Sequence, residues 1–100
     1  MNLIVAGSVR LPPEKLDAFR HEMRAMVEAT RAEAGCIAYS YAEDVLEPGL
    51  IRVFEIWRDE AALDDHLLST HMSRWRAAWP DFGVTERRLS AYDVSGERII

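Results

Sequence analysis

Apolar residues along this chain recur with two different periods, and the switches between them mark out its elements. Leu3 to Arg10 is a compact apolar run that ends against Leu11-Pro12-Pro13. It predicts a strand stopped by prolines, which cannot extend a ladder. Pro13 suits the first turn of a helix, and Glu14 and Asp17 favour that helix's positive end. Leu16, Phe19, Met23, Met26, Val27 and Thr30 then recur at three- and four-residue steps, the stripe of an amphipathic helix of about five turns. It is expected to close near Ala34-Gly35, with Gly35 in a left-handed cap.

Cys36 to Asp44 reads as a second strand with Tyr39 and Tyr41 on one face. Glu47-Pro48-Gly49 is a turn, and Leu50 to Arg58 a third strand. Asp59 is placed to cap a short helix marked by Leu63 and Leu67. Thr70 is placed to cap another that carries Met72, Trp75 and Trp79 and stops at Pro80. Val84 to Val94 gives the last strand. The order β-α-β-β-α-β predicts a single α+β domain over 1–100, ferredoxin-like, with a four-stranded antiparallel sheet covered by helices on one face. The strands are apolar at both parities, Leu3 and Val5 against Ile4 and Ala6, Val53 and Trp57 against Phe54 and Ile56. A sheet with one wet face alternates more cleanly, so a second copy is expected to cover the free face in a homodimer.

Composition narrows the function classes. The chain is 49% hydrophobic and 29% charged with a net charge of -5, an ordinary globular balance. Arg10, Arg20, Arg24 and Arg31 are interleaved with Glu14, Asp17, Glu22 and Glu28. That mixed surface argues against a nucleic-acid partner, which needs clustered cations. Cys36 is the only cysteine, which leaves no intramolecular disulfide and no Cys-based zinc site. The start, Met1 to Val5, reads as structural, with neither a signal-peptide pattern nor an apolar run of membrane length. The expected location is cytoplasmic, with no membrane partner.

The chemistry concentrates where the third strand runs into the short helix. His66 falls three residues after Leu63, near the buried stripe, and His71 at a helix junction. Imidazoles exchange protons in the physiological range, though surface or capping roles account for them equally well. Their spacing matches no helical metal-binding pair, so no metal is expected. Glu55 lies inside an apolar strand and needs a partner. It reads either as a catalytic or histidine-orienting acid or as half of a structural ion pair, such as one with Arg52 or Arg88, the pair being slightly favoured. Trp57 shares its parity and is placed to wall a pocket, or simply to fill core. Tyr39 and Tyr41 offer hydroxyls to a quinone or phenol oxygen, and Trp75 is the better pocket candidate in its helix. Cys36 has no neighbouring base and reads as a small buried residue. There is no phosphate-cradling glycine loop, nucleotide fingerprint or serine-nucleophile elbow.

Glu33-Ala34-Gly35-Cys36-Ile37-Ala38-Tyr39, Phe54-Glu55-Ile56-Trp57, and Ala61-Ala62-Leu63 with His66 and Ser69-Thr70-His71 together resemble the antibiotic biosynthesis monooxygenase family. With the element order, the resemblance spans most of residues 2 to 94. It implies a dimeric α+β barrel and, for the better-understood members, oxidation of quinols or polycyclic phenols by molecular oxygen without metal or flavin. The haem-degrading branch uses a first-strand Asn where this chain has Ala6-Gly7-Ser8, and a Trp about where His66 stands. The small-quinol branch, with histidines placed like His66 and His71, is the closer match.

Such chemistry needs a base at the hydroxyl, a dry pocket and a proton donor for reduced oxygen. The resulting expectation gives the base to His66 or His71, the walls to Trp57 and Trp75, a hydrogen bond to Tyr39 and charge balance to Glu55, with no cofactor. A non-catalytic aromatic-binding or stress-associated dimer is the alternative, and a haem-binding protein the third reading.

Overall fold

In the computed structural model, which describes residues 2–100, strands β1 (Leu3–Arg10), β2 (Cys36–Glu43), β3 (Leu50–Trp57) and β4 (Thr85–Asp93) form one antiparallel sheet ordered β2-β3-β1-β4. Met1, assigned to the approach to the first strand on sequence, lies outside the described residues. Helices α1 (Leu16–Arg31), α2 (Glu60–Leu67) and α3 (Thr70–Phe82) cover one face, so the ferredoxin-like order holds with its second helical segment broken in two.

Strand pairing sorts the side chains into rows. Tyr39, Glu55, Val5 and Ala91 lie abreast on the helix-facing side, next to the row Tyr41, Val53, Gly7 and Leu89. The opposite side carries Ala38, Ile56, Ile4 and Tyr92 in one row and Ser40, Phe54, Ala6 and Ser90 in the next. There Phe54 is 44% exposed and Tyr92 56%, so the apolar second parity read from the sequence is an open surface of this chain.

The core lies between sheet and helices. Phe19, Met23 and Met26 of α1 and Met72 and Trp75 of α3 meet Leu3, Val5, Val9, Ile51 and Trp57. Phe19 stacks on Trp75 with centroids 4.7 Å apart and touches Phe82 at 4.8 Å. Aromatic pairs in these geometries add to the burial of their area.

Helix ends differ from the sequence reading in three places. α1 begins after a 3-10 turn at Pro13–Lys15 and closes at Arg31 with Ala32 right-handed, earlier than Gly35. Gly35 is not left-handed. It is glycine because α2 passes over it, and a Cβ there would stand 2.3 Å from the Ala62 Cβ. The cap of α3 is Ser69, whose Oγ accepts from the Met72 N–H at 3.3 Å, and Thr70 is the first helical residue. Pro80 does not end that helix. Its own missing N–H removes one bond near the last turn, where few remain to be lost. Gly83, left-handed at φ 69°, then closes the helix with its N–H on the Pro80 carbonyl. Asp59 caps α2 as expected, accepting from the Ala62 N–H at 2.9 Å.

Candidate active site

Helix α2 turns two stripes in two directions. Ala62 and His66, one turn apart, are its buried residues, whereas Leu67 is 39% exposed and Leu63 only partly covered. The leucines marked on sequence as the core stripe therefore edge a cavity, and the histidine takes the core position. His66 is 1% exposed. Its ring lies 4.6 Å from the Trp57 ring and 5.4 Å, edge-on, from Tyr39.

A buried imidazole needs hydrogen-bond partners, and the partner here comes from the turn between α1 and β2. Glu33 Oε2 stands 2.7 Å from His66 Nδ1 and 2.8 Å from His71 Nε2, so one carboxylate oxygen accepts from both rings. Ser69 Oγ, 3.2 Å from His71 Nε2, donates to the His66 carbonyl at 2.6 Å and pins the junction of α2 and α3. Because a carboxylate only accepts, the His66 proton is placed on Nδ1 and Nε2 is left bare. Burial pushes the His66 imidazole below its ordinary value, opposed by the hydrogen bond and charge of Glu33. The neutral ring is thus the favoured form.

Glu33 is the member of this cluster that sequence reasoning missed. It is 33 positions from His66 in a turn with no periodicity, and only the resemblance-bearing segment that begins with it drew attention there. The close approach of Gly35 to Ala62 seats that turn on α2 and brings the carboxylate to the rings.

Glu55 takes neither role weighed for it as a contact. Its Oε1 accepts from the Trp57 indole N–H at 2.8 Å, while Arg52 pairs with Asp44 at 3.1 Å. Among the described residues Arg88 forms no ion pair with it. Glu55 is 3% exposed, and burial raises its carboxyl above the usual range, against the pull of the Trp57 N–H and the Arg87 charge. Glu55 and His66 meet at one open-mouthed cavity of about 200 Å³, lined also by Val5, Leu63, Leu67, Met72 and Leu89, with Arg87 and Ser90 among its polar lining. Its walls are aliphatic, where the sequence suggested aromatic ones.

The remaining expected residues lie behind or beyond that cavity. Trp57 is wholly buried and backs His66 from the core. The Tyr39 hydroxyl, also buried, stands 3.5 Å from that of Tyr41, and burial raises both phenols. His71 and Trp75 line a separate hollow of about 160 Å³ against α1, with Glu22, Met26 and Arg74. The two histidines therefore face different spaces and are joined through Glu33. The donor set Glu33, His66 and His71 also has the composition of a metal site, its three atoms lying within 4.8 Å of one another. Cys36 is half-buried, its thiol pushed up by burial.

The chain is thus a ferredoxin-like α+β protein with a carboxylate-bound histidine beside a cavity. The family model for antibiotic biosynthesis monooxygenases matches residues 2–78, and the chain belongs to that family. Its sequence is 31% identical over 93% of its length to sll1783, a functionally uncharacterized Synechocystis protein, covering 63% of that protein. It is 32% identical over 69% of its length to YcnE of Bacillus subtilis, provisionally named a monooxygenase, covering 73% of it. Among solved structures, one from Deinococcus radiodurans, provisionally described as an antibiotic biosynthesis monooxygenase, superimposes with a TM-score of 0.90 at 25% identity, covering 100% of this chain and 98% of that one. Rv0793 of Mycobacterium tuberculosis gives 0.84 at 28% identity, over 97% and 98%.

Proposed function

We propose that this protein is a cofactor-independent monooxygenase that oxidises a small aromatic quinol or phenol with molecular oxygen, and that it works as a homodimer. The observation that carries the reading is the Glu33–His66 pair at 2.7 Å beside an apolar cavity. The Nδ1–H is committed to the carboxylate, and Nε2 is free to take a proton.

The substrate hydroxyl gives its proton to His66 Nε2, and Glu33 steadies the imidazolium through Nδ1–H, the division of labour that orients a catalytic histidine. The resulting oxyanion is a far better electron donor. One electron passes to oxygen, and the superoxide and aryloxyl radicals join through a new carbon–oxygen bond. The peroxide anion takes a proton from His66, which restores the neutral ring. Loss of water from the hydroperoxide leaves a carbonyl, so one oxygen atom enters the product and the other leaves as water. Leu63, Leu67, Met72 and Leu89 present apolar surface to the anion, which lowers the water around it. The cavity, below the roughly 300–1,000 Å³ usual for drug-sized ligands, suits one or two rings better than four. Glu55, facing the same space with its carboxyl raised, is placed to donate a hydrogen bond to a substrate oxygen. Trp57 and Tyr39 act from behind, fixing the ring of His66, and His71 shares its carboxylate.

An oxygen electrode tests the reading, with chelator-treated protein and a panel of naphthoquinols and anthrones. Stoichiometric uptake with product formation above the spontaneous rate is expected for at least one. Tight binding of the panel without uptake would replace this reading with the binding module, and a Soret band on haem titration with the haem-binding one.

A further inference from the structure

We infer that Glu33, His66 and His71 form a site for one borderline divalent transition-metal ion of the zinc or nickel class, and that its occupancy silences His66 as a base. The first half stands on the donor geometry alone; the second rests on the oxygenase reading. Two imidazoles and a carboxylate are the ligand set that borderline ions prefer over magnesium or calcium. Glu33 Oε2, His66 Nδ1 and His71 Nε2 converge within 4.8 Å. Zinc takes such donors at about 2.0–2.2 Å, which sets neighbouring donors about 3.0–3.5 Å apart. From the present 2.7 and 2.8 Å each ring withdraws from Glu33 by about half an ångström, and the two ring nitrogens, now within 4.8 Å, close on each other to about 3.5 Å.

The site is held and reachable. His66 is fixed by Trp57 and Tyr39, and the Ser69 hydroxyl ties the two histidine-bearing helices together. The Glu33 and His71 side chains keep 19% and 24% of their surface, which leaves an entry path and room for water as a further ligand. Arg76, whose charge is felt at His66, is turned to the Leu67 carbonyl at 3.2 Å.

Coordination exchanges one use of His66 for another. A metal on Nδ1 needs that nitrogen's lone pair, so the proton it carried moves to Nε2. The nitrogen placed to accept a proton then becomes a donor. No net charge on the ring is required, only the change of tautomer.

The test is calorimetric titration of zinc chloride into the chelator-stripped full chain. One ion per chain with micromolar affinity is expected, weakened at least about tenfold by Glu33→Gln and by His71→Ala, as for lost support in known sites. The third histidine, the exposed His21, is the control, and His21→Asn should leave binding unchanged. Circular dichroism and thermal melts confirm that each variant folds. No binding up to millimolar zinc overturns the site. So does binding that survives both site variants or disappears with His21. Nitrogen-15 spectra of His66 read the silencing without turnover: zinc should move the proton from Nδ1 to Nε2, and an unmoved proton contradicts it. Quinol oxidation should also fall along the same zinc isotherm, and undiminished turnover at saturating zinc would refute the silencing. A protein inactive toward every quinol would sink the oxygenase reading while calorimetry still judged the site.

Discussion

Glu55 sits in the middle of the sheet's helix-facing side with one oxygen on Trp57 Nε1, a placement with a pH-dependent consequence. A carboxyl raised by burial binds its proton more tightly folded than unfolded. Its contribution to stability is therefore complete below the unfolded value and lost as pH rises through the folded one. Glutamine keeps the carbonyl acceptor and sheds the charge. Chemical denaturation of Glu55→Gln and wild type should show the variant gaining relative stability from about pH 4.5, near the free carboxyl value, up to neutrality. A stability difference constant across that range would contradict the assignment. Trp57 has no exposure at all, and Trp57→Ala should cost about 3–5 kcal/mol, the range for deleting a buried large aromatic, measured as a fall in the denaturation midpoint. The residue types that carry the site were partly readable in sequence: Glu55 stands out because it interrupts an apolar strand, and His66 because it falls three residues after Leu63, near the buried stripe. Glu33 does not, because a glutamate in a turn is ordinary until the fold brings it to two rings.

Elements followed the sequence where periodicity and punctuation agree. β1 ends at Arg10 because the prolines forbid more ladder, and Glu47-Pro48-Gly49 separates β2 from β3 as read. They departed where two neighbouring residues offer the same chemistry, as with Ser69 and Thr70, or where a later signal overrides an earlier one, as Gly83 does Pro80. The two leucines of α2 show the same limit: a 3.6-residue stripe says which residues share a face, not whether that face meets core or cavity. At this scale the turn holding Glu33 is the sensitive point. Gly35→Ala places a methyl 2.3 Å from the Ala62 Cβ and should cost about 1–3 kcal/mol by overpacking. The His66 imidazole resonances should shift with it, since the turn that carries Glu33 is pushed off α2. Unchanged stability and resonances would show that the close approach is not needed. Asp59→Ala should cost about 1 kcal/mol through its lost cap, read by thermal denaturation.

For the whole molecule, the open apolar rows around Ile4, Phe54, Ile56 and Tyr92 are the feature that one chain does not satisfy. Burying them against a second copy would cover the sheet as the first parity is covered by helices. Sedimentation should give twice the chain mass, and Phe54→Glu, which buries a charge at the centre of that face, should yield a monomer with its fold intact. A wild-type monomer at micromolar concentration would remove the dimer from the account. The likeness to monooxygenase relatives and the cavity bearing both His66 and Glu55 belong to this scale as well. They make the base the point on which function turns.

That point is met by comparing turnover numbers of wild type, His66→Ala and His71→Ala on the quinol of the panel that gives the highest oxygen uptake, in chelator. Removal of His66 should lower kcat by about 10²–10⁴, the span of general-base catalysis, and removal of His71, which faces the other hollow, by much less. A folded His66→Ala protein that consumes oxygen at the wild-type rate would contradict the assignment of His66 as the base.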